Sequence, residues 1–176
     1  MLEIGKSYTI EQVVTPEMTA RAIGSGGLEV FGTPFMMAMM EHAAMDCVQP
    51  DLPEGKGTVG VDIQSSHLAP TPVGMTVRAT ATVTGVSENG KLITFRVEAS
   101  DDWGPIGEGT HTRAVIANDR FLQSQNDCIR QIMIMQSVCD VAGMVSPQLQ
   151  KSYEKQLNAL YTLYRGRGGS MPQGNQ

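Results

Sequence analysis

At 176 residues the chain is long enough for one domain with a real core and cramped for two. Apolar residues at 41% and charged residues at 18% exclude a disordered or collagen-like chain. A formal net charge of −5 gives no overall attraction for phosphate backbones or anionic lipid, so nucleic acid and membrane surfaces are not expected partners.

Residues 7–14 can form an edge strand. Thr15-Pro16-Glu17 combines a capping residue, a proline suited to the first helical position and an early acid, with Gly24 as the stop, which predicts a short helix over 16–23. The run Gly24-Ser25-Gly26-Gly27 gives up much backbone freedom on ordering and is expected to be a mobile loop. Thr33-Pro34 repeats the start signal. The residues after it, through Met45, are mostly good helix formers and apolar on nearly every side, so this helix is expected to be wrapped by other structure before the turn-rich exit at 50–55.

Beyond that exit the period changes to two. Val59, Val61, Ile63, Ser65 and His67 share one strand face; Met75, Val77, Ala79, Ala81 and Val83 share a second; Ile93, Phe95, Val97 and Ala99 share a third. Glu88-Asn89-Gly90-Lys91 reads as a hairpin turn and residues 101–105 as another, followed by a fourth strand over about 106–117. The pattern predicts an α+β domain of the hot-dog layout, a long central helix wrapped by a curved antiparallel sheet, over residues 1–121. Residues 122–164 should add a helical C-terminal extension. One helix carries Ile129, Ile132, Met133, Met135, Gln136, Val138 and Cys139; the next starts at Ser146-Pro147 with a stripe through Leu149, Tyr153, Leu157, Leu160, Tyr161 and Tyr164. Residues 165–176, rich in Gly, Ser, Pro, Gln and Asn, are expected to be disordered.

No P-loop, dinucleotide glycine fingerprint, paired CxxC or Gly-x-Ser-x-Gly elbow is present. Three cysteines, Cys47, Cys128 and Cys139, match no zinc spacing and are expected as reduced thiols. Residues 1–10 lack the basic start and apolar run of a signal peptide, and the most apolar stretch is interrupted by Glu41, His42 and Asp46, so the expected location is cytoplasmic, without a membrane span. The remaining signal is polar residues where apolar ones would cost less. Glu41 lies in the middle of the apolar helix, where desolvation raises a carboxylate's free energy; an exposed position on that helix is the plain alternative. His67 shares a face with Val61 and Ile63, which also suits an ordinary core histidine. Thr33, before Pro34, is expected to cap its helix, with a hydroxyl proton to spare for chemistry. His42 and His111 have no ligand-spaced partner, and no metal site is expected.

Five segments, in this order, carry a resemblance: Gly32-Thr33-Pro34; Met40-Glu41-His42-Ala43-Ala44; Val59-Gly60; the run Ser66-His67-Leu68-Ala69-Pro70-Thr71-Pro72-Val73-Gly74-Met75; and Gly107-Glu108-Gly109-Thr110-His111-Thr112-Arg113. Together they resemble the fluoroacetyl-CoA thioesterase-like family of hot-dog proteins, over residues 1–121. The resemblance implies a thioesterase that hydrolyses a small or medium acyl-CoA to free acid and CoA, with Thr33, Glu41 and His67 as the catalytic constellation. It implies further that Gly60, Phe31 and Arg113 lie near the substrate, that no cofactor is needed beyond the CoA of the substrate, and that the protein is a homodimer or higher homo-oligomer. Phe31 is the sole aromatic immediately ahead of Thr33, so selectivity for a fluorinated acyl group is not implied. A non-catalytic acyl-CoA-binding or assembly module on the same fold is the alternative, and a hot-dog dehydratase is disfavoured for want of its Asp and His pair.

Overall fold

The computed structural model describes residues 2–166 and divides the chain into two compact units, Met1–Ala117 and Asn118–Gln176. In the first, five strands form one antiparallel sheet: β1 (Ser7–Val13), β2 (Lys56–His67), β3 (Thr76–Val86), β4 (Leu92–Asp101) and β5 (Gly104–Ala117), in spatial order β1-β3-β4-β5-β2. The helix α1 (Thr33–Val48) connects β1 to β2, which lie at opposite edges of the sheet.

Alternation in β3 and β4 sends Val77, Ala79, Ala81 and Val83, then Ile93, Phe95, Val97 and Ala99, to the inner face, where all eight are buried. They meet Met36, Met39, Met40, Ala43, Ala44, Cys47 and Val48 of α1 in one core. Fully burying a side chain of methionine size stabilises the fold by about 1.5–3 kcal/mol, so the methionine-rich helix is held by packing. The small residues of β3 let α1 lie close to the sheet. At the turn between β3 and β4, Gly90 adopts φ +67° and Asn89 Oδ1 accepts from the Lys91 N–H at 3.0 Å.

Two expectations are revised, and the loop between them keeps the irregular form expected of it. The helix expected over 16–23 is a single 3-10 turn, Pro16–Met18, because the Thr19 hydroxyl turns back to the Pro16 carbonyl at 2.8 Å and Thr19 then pairs as an isolated bridge with Phe31. The Gly24–Gly27 loop is closed by its own bonds, with Ser25 and Gly26 N–H groups both donating to the Ala20 carbonyl at 2.9 and 3.2 Å. In β2 the strict alternation is broken by a bulge: Gly60 pairs with Arg113 and Asp62 with Thr112, leaving Val61 unpaired and 56% exposed.

In the second unit, α2 (Asn118–Val145) is followed by α3 (Pro147–Gly166). Ile132, Cys139 and Leu157 form a separate small core, with Met135, Tyr153, Leu160 and Tyr161 packed against it. The expected helices are present: α2 begins before residue 122, and α3 begins at Pro147 as read; Arg165 and Gly166 are still helical, and the rest of the expected tail lies outside the described residues. No helix among the described residues is long and apolar enough to cross a membrane.

Candidate active site

The segment entering α1 is fixed before the helix begins. Phe31 N–H donates to the Thr71 carbonyl at 2.8 Å and Gly32 N–H to the Met18 carbonyl at 2.9 Å, while Leu68 N–H donates to the Ile106 carbonyl at 2.7 Å and so fixes the end of β2. These ties place the first residue of α1 beside the last residue of β2, and Thr33 Oγ1 lies 2.8 Å from His67 Nδ1. The helix cap is Gly32, with no side-chain capping bond, so the Thr33 hydroxyl is free for His67 and the expected capping role is corrected. A side chain at position 32 would crowd Ile23 and the Ala20 backbone, which explains why the cap is glycine. His67 Nε2 is enclosed and has no partner among the described residues, so the ring communicates through Nδ1. A cavity of about 350 Å³ opens on this pair, lined also by Ala20, Ser25, Val30 and Phe31. Phe31 contributes there from a buried position, 1% exposed.

Glu41 sits two turns further along α1 in a second cluster. Its Oε1 lies 3.7 Å from His111 Nε2 and 3.9 Å from Arg113 Nη1. His111 and Arg113, two apart on β5, point to the same inner face, where both are buried. Arg113 donates from Nε to Thr58 Oγ1 at 2.8 Å, from Nη2 to the Thr58 carbonyl at 2.9 Å, and from Nη1 to the Glu41 carbonyl at 3.3 Å. Burial lowers its guanidinium from the ordinary arginine value, and the charge of Glu41 offsets part of that. Burial likewise pushes the His111 imidazole below the ordinary histidine value, chiefly by desolvating the charged form. Gly60 lies against this cluster: a Cβ there would collide with Glu41 Oε1 and meet His111 Cε1 at 3.2 Å. Glycine at 60 is therefore what admits the carboxylate.

Of the residues singled out in sequence, the structure pairs Thr33 with His67 and groups Glu41 with Gly60 and Arg113. At 1.5 Å of rise per residue, Thr33 and Glu41 are roughly 12 Å apart along the helix. His111 was missed, because a lone histidine on an apolar strand face reads as core; the signal was the His111-x-Arg113 spacing, which sets two polar residues on one buried face. His42 is exposed and pairs with Asp46 at 3.3 Å, away from the clusters.

Residues 14–119 match the family model described as fluoroacetyl-CoA-specific thioesterase. The fluoroacetyl-CoA thioesterase of Streptantibioticus cattleyicolor is 37% identical over 126 residues, 68% of this chain and 89% of that protein. A mutant of the fluoroacetyl-CoA-specific thioesterase, solved with fluoroacetate and CoA, superposes with a TM-score of 0.64 at 37% identity, covering 68% of this chain and 99% of the other. A hot-dog-like protein from Thermanaerovibrio acidaminovorans gives the same TM-score at 26% identity, covering 70% and 90%. The match spans both residue clusters and the four strands β2 to β5, and stops at the start of the helical extension. With the helix-on-sheet architecture already described, these similarities establish that the chain has the hot-dog fold and belongs to the fluoroacetyl-CoA-specific thioesterase family.

Proposed function

We propose that the protein hydrolyses the thioester of a small or medium acyl-CoA, and that Glu41, Thr33 and His67 carry the reaction. The observation that supports this most directly is the state of the Glu41 carboxylate. Among the described residues no hydrogen-bond donor engages it, although a cationic guanidinium stands 3.9 Å away and glycine at 60 leaves it room. An ionised oxygen that is near positive charge but uncommitted can take a proton from water or add to a carbonyl. In the first route Glu41 removes a proton from water, the resulting hydroxide adds to the thioester carbon, and the C–S bond breaks. The proton that Glu41 took from water passes to the departing CoA thiolate, which restores the carboxylate, while the Thr33 hydroxyl, held by His67 Nδ1 at 2.8 Å, positions the substrate. Direct addition of Glu41 to the carbonyl reaches the same products through a mixed anhydride that water then opens. Backbone N–H groups near Gly60 would hold the developing oxyanion, and Arg113 lies close to the same substrate.

Release of free thiol from a panel of acyl-CoAs of increasing chain length tests the activity, and Glu41→Gln tests the residue. The variant keeps its volume and loses its charge, so kcat/KM should fall by about a thousandfold or more while the thermal midpoint is nearly unchanged. Wild-type turnover by a folded Glu41→Gln protein would remove Glu41 from the mechanism. The absence of turnover on every acyl-CoA, with retained CoA-ester binding, would favour the non-catalytic binding module.

A further inference from the structure

The hydrogen-bonding partners of His111 determine where its proton resides. Its Nδ1 lies 2.7 Å from the backbone carbonyl of Asp62, which can only accept, and its Nε2 lies 3.1 Å from Arg113 Nη1, which can only donate. The ring is therefore the neutral form with the proton on Nδ1 and a bare lone pair on Nε2. Phe95, opposite His111 on β4, stacks on the ring at a centroid distance of 6.3 Å and 29° between planes, which holds its orientation. The charged or titratable groups around it are Glu41 on α1, Asp62 on β2 and Arg113 on β5.

Arg113 has five N–H bonds, and four have neutral acceptors: Thr58 Oγ1, the Thr58 and Glu41 carbonyls, and His111 Nε2. Both Nη1 protons are thereby occupied, one by His111 and one by the Glu41 backbone. The Glu41 carboxylate, 3.9 Å from the same nitrogen, lies beyond hydrogen-bond reach.

Resting on the reading of Glu41 as the reactive carboxylate, we infer that His111 is a positioning residue that keeps Arg113 from closing on Glu41. By accepting one Nη1 proton it leaves the carboxylate near a positive charge but without a donor. Take that acceptor away, and the freed N–H has Glu41 Oε1 as its nearest alternative. The charge-assisted bond that forms there would occupy the lone pair the reaction needs.

Two substitutions separate this role from simple packing. His111→Asn keeps a donor at the Nδ1 position for the Asp62 carbonyl and loses the acceptor. His111→Gln reaches the Nε2 position with a carbonyl oxygen, keeping the acceptor for Arg113 and losing the Asp62 bond. The inference predicts that His111→Asn loses about tenfold in kcat with KM within about twofold, and that His111→Gln stays within about threefold of wild type. The reverse order, equal losses in both, or no loss in His111→Asn would overturn it. A measurement without any variant in the assay guards against misfolding. In wild-type protein labelled with 15N-histidine, the His111 ring, assigned through its contact with Phe95, should report a protonated Nδ1 and a bare Nε2 at pH 7. A proton on Nε2 would overturn the inference even if neither variant folded. That spectrum does not depend on turnover, so it can fail while Glu41 stands, and Glu41→Gln can retain wild-type turnover while the spectrum agrees.

Discussion

His111 also links the cluster to the stability of the fold. Its imidazole titrates below the ordinary value of 6.5 in the native state because burial penalises the charged form. The unfolded chain therefore binds the proton first as pH falls. Stability is fully present above about 6.5 and declines as pH drops from there toward the native value, since only the unfolded state gains a proton in that window. Thermal unfolding followed from pH 8 to pH 5 should show this decline, and His111→Gln should remove part of the slope below about 6.5 while leaving the curve above it parallel to wild type. An unchanged slope in the variant would mean that His111 protonates equally in both states. Thr33 shows the opposite side of reading residues one at a time. Its place before Pro34 marked a helix start correctly, but the capping role went to Gly32 because the crowded approach of Ala20 and Ile23 leaves no room for a side chain there.

At the scale of elements, what was legible followed periodicity. The two-residue alternation of β3 and β4 and the apolar run of α1 predicted the core almost residue by residue, since burial on one face is what those patterns encode. What was not legible was set by partners distant in sequence. The bulge at Val61 depends on pairing with β5, and the 3-10 turn at Pro16–Met18 depends on a bridge from Thr19 to Phe31. The same pairing explains Gly109 of β5. A Cβ at Gly109 would collide with the carbonyl of Gln64 and the Cα of Ser65 on the neighbouring strand, so β2 and β5 approach more closely there than any other residue allows. Gly109→Ala should destabilise the domain by about 1–3 kcal/mol in chemical denaturation, through forced separation of the β2–β5 ladder. Stability equal to wild type would show that the strands part at no cost. Because β2 carries His67 at one end and Gly60 near the other, such a strain also displaces both clusters.

For the molecule as a whole, the distribution of the candidate residues matters more than their identity. Thr33 with His67 and Glu41 with Arg113 are two clusters separated by roughly 12 Å of helix in a single chain, too far to act directly on one thioester carbon. Two copies related by a two-fold axis would let the first cluster of one chain meet the second cluster of its partner. Mixing Thr33→Ala with Glu41→Gln chains should then restore about a quarter of wild-type activity, because about half of randomly exchanged dimers are mixed and one of the two sites in each is intact. No recovery after demonstrated subunit exchange would mean that each chain completes its own site. The helical extension has a core of its own and lies beyond the family match.

The stretch of α1 from Thr33 to Glu41 acts as a ruler. Each residue added to or removed from a helix turns everything beyond it by about 100° and moves it about 1.5 Å along the axis. One inserted residue between the two clusters would rotate Glu41 away from Gly60 while Thr33 stayed with His67, and no side-chain adjustment could restore both. An insertion or deletion in this span should therefore separate the two clusters, and its length of two turns matters to the proposed site as much as the side chains at its ends.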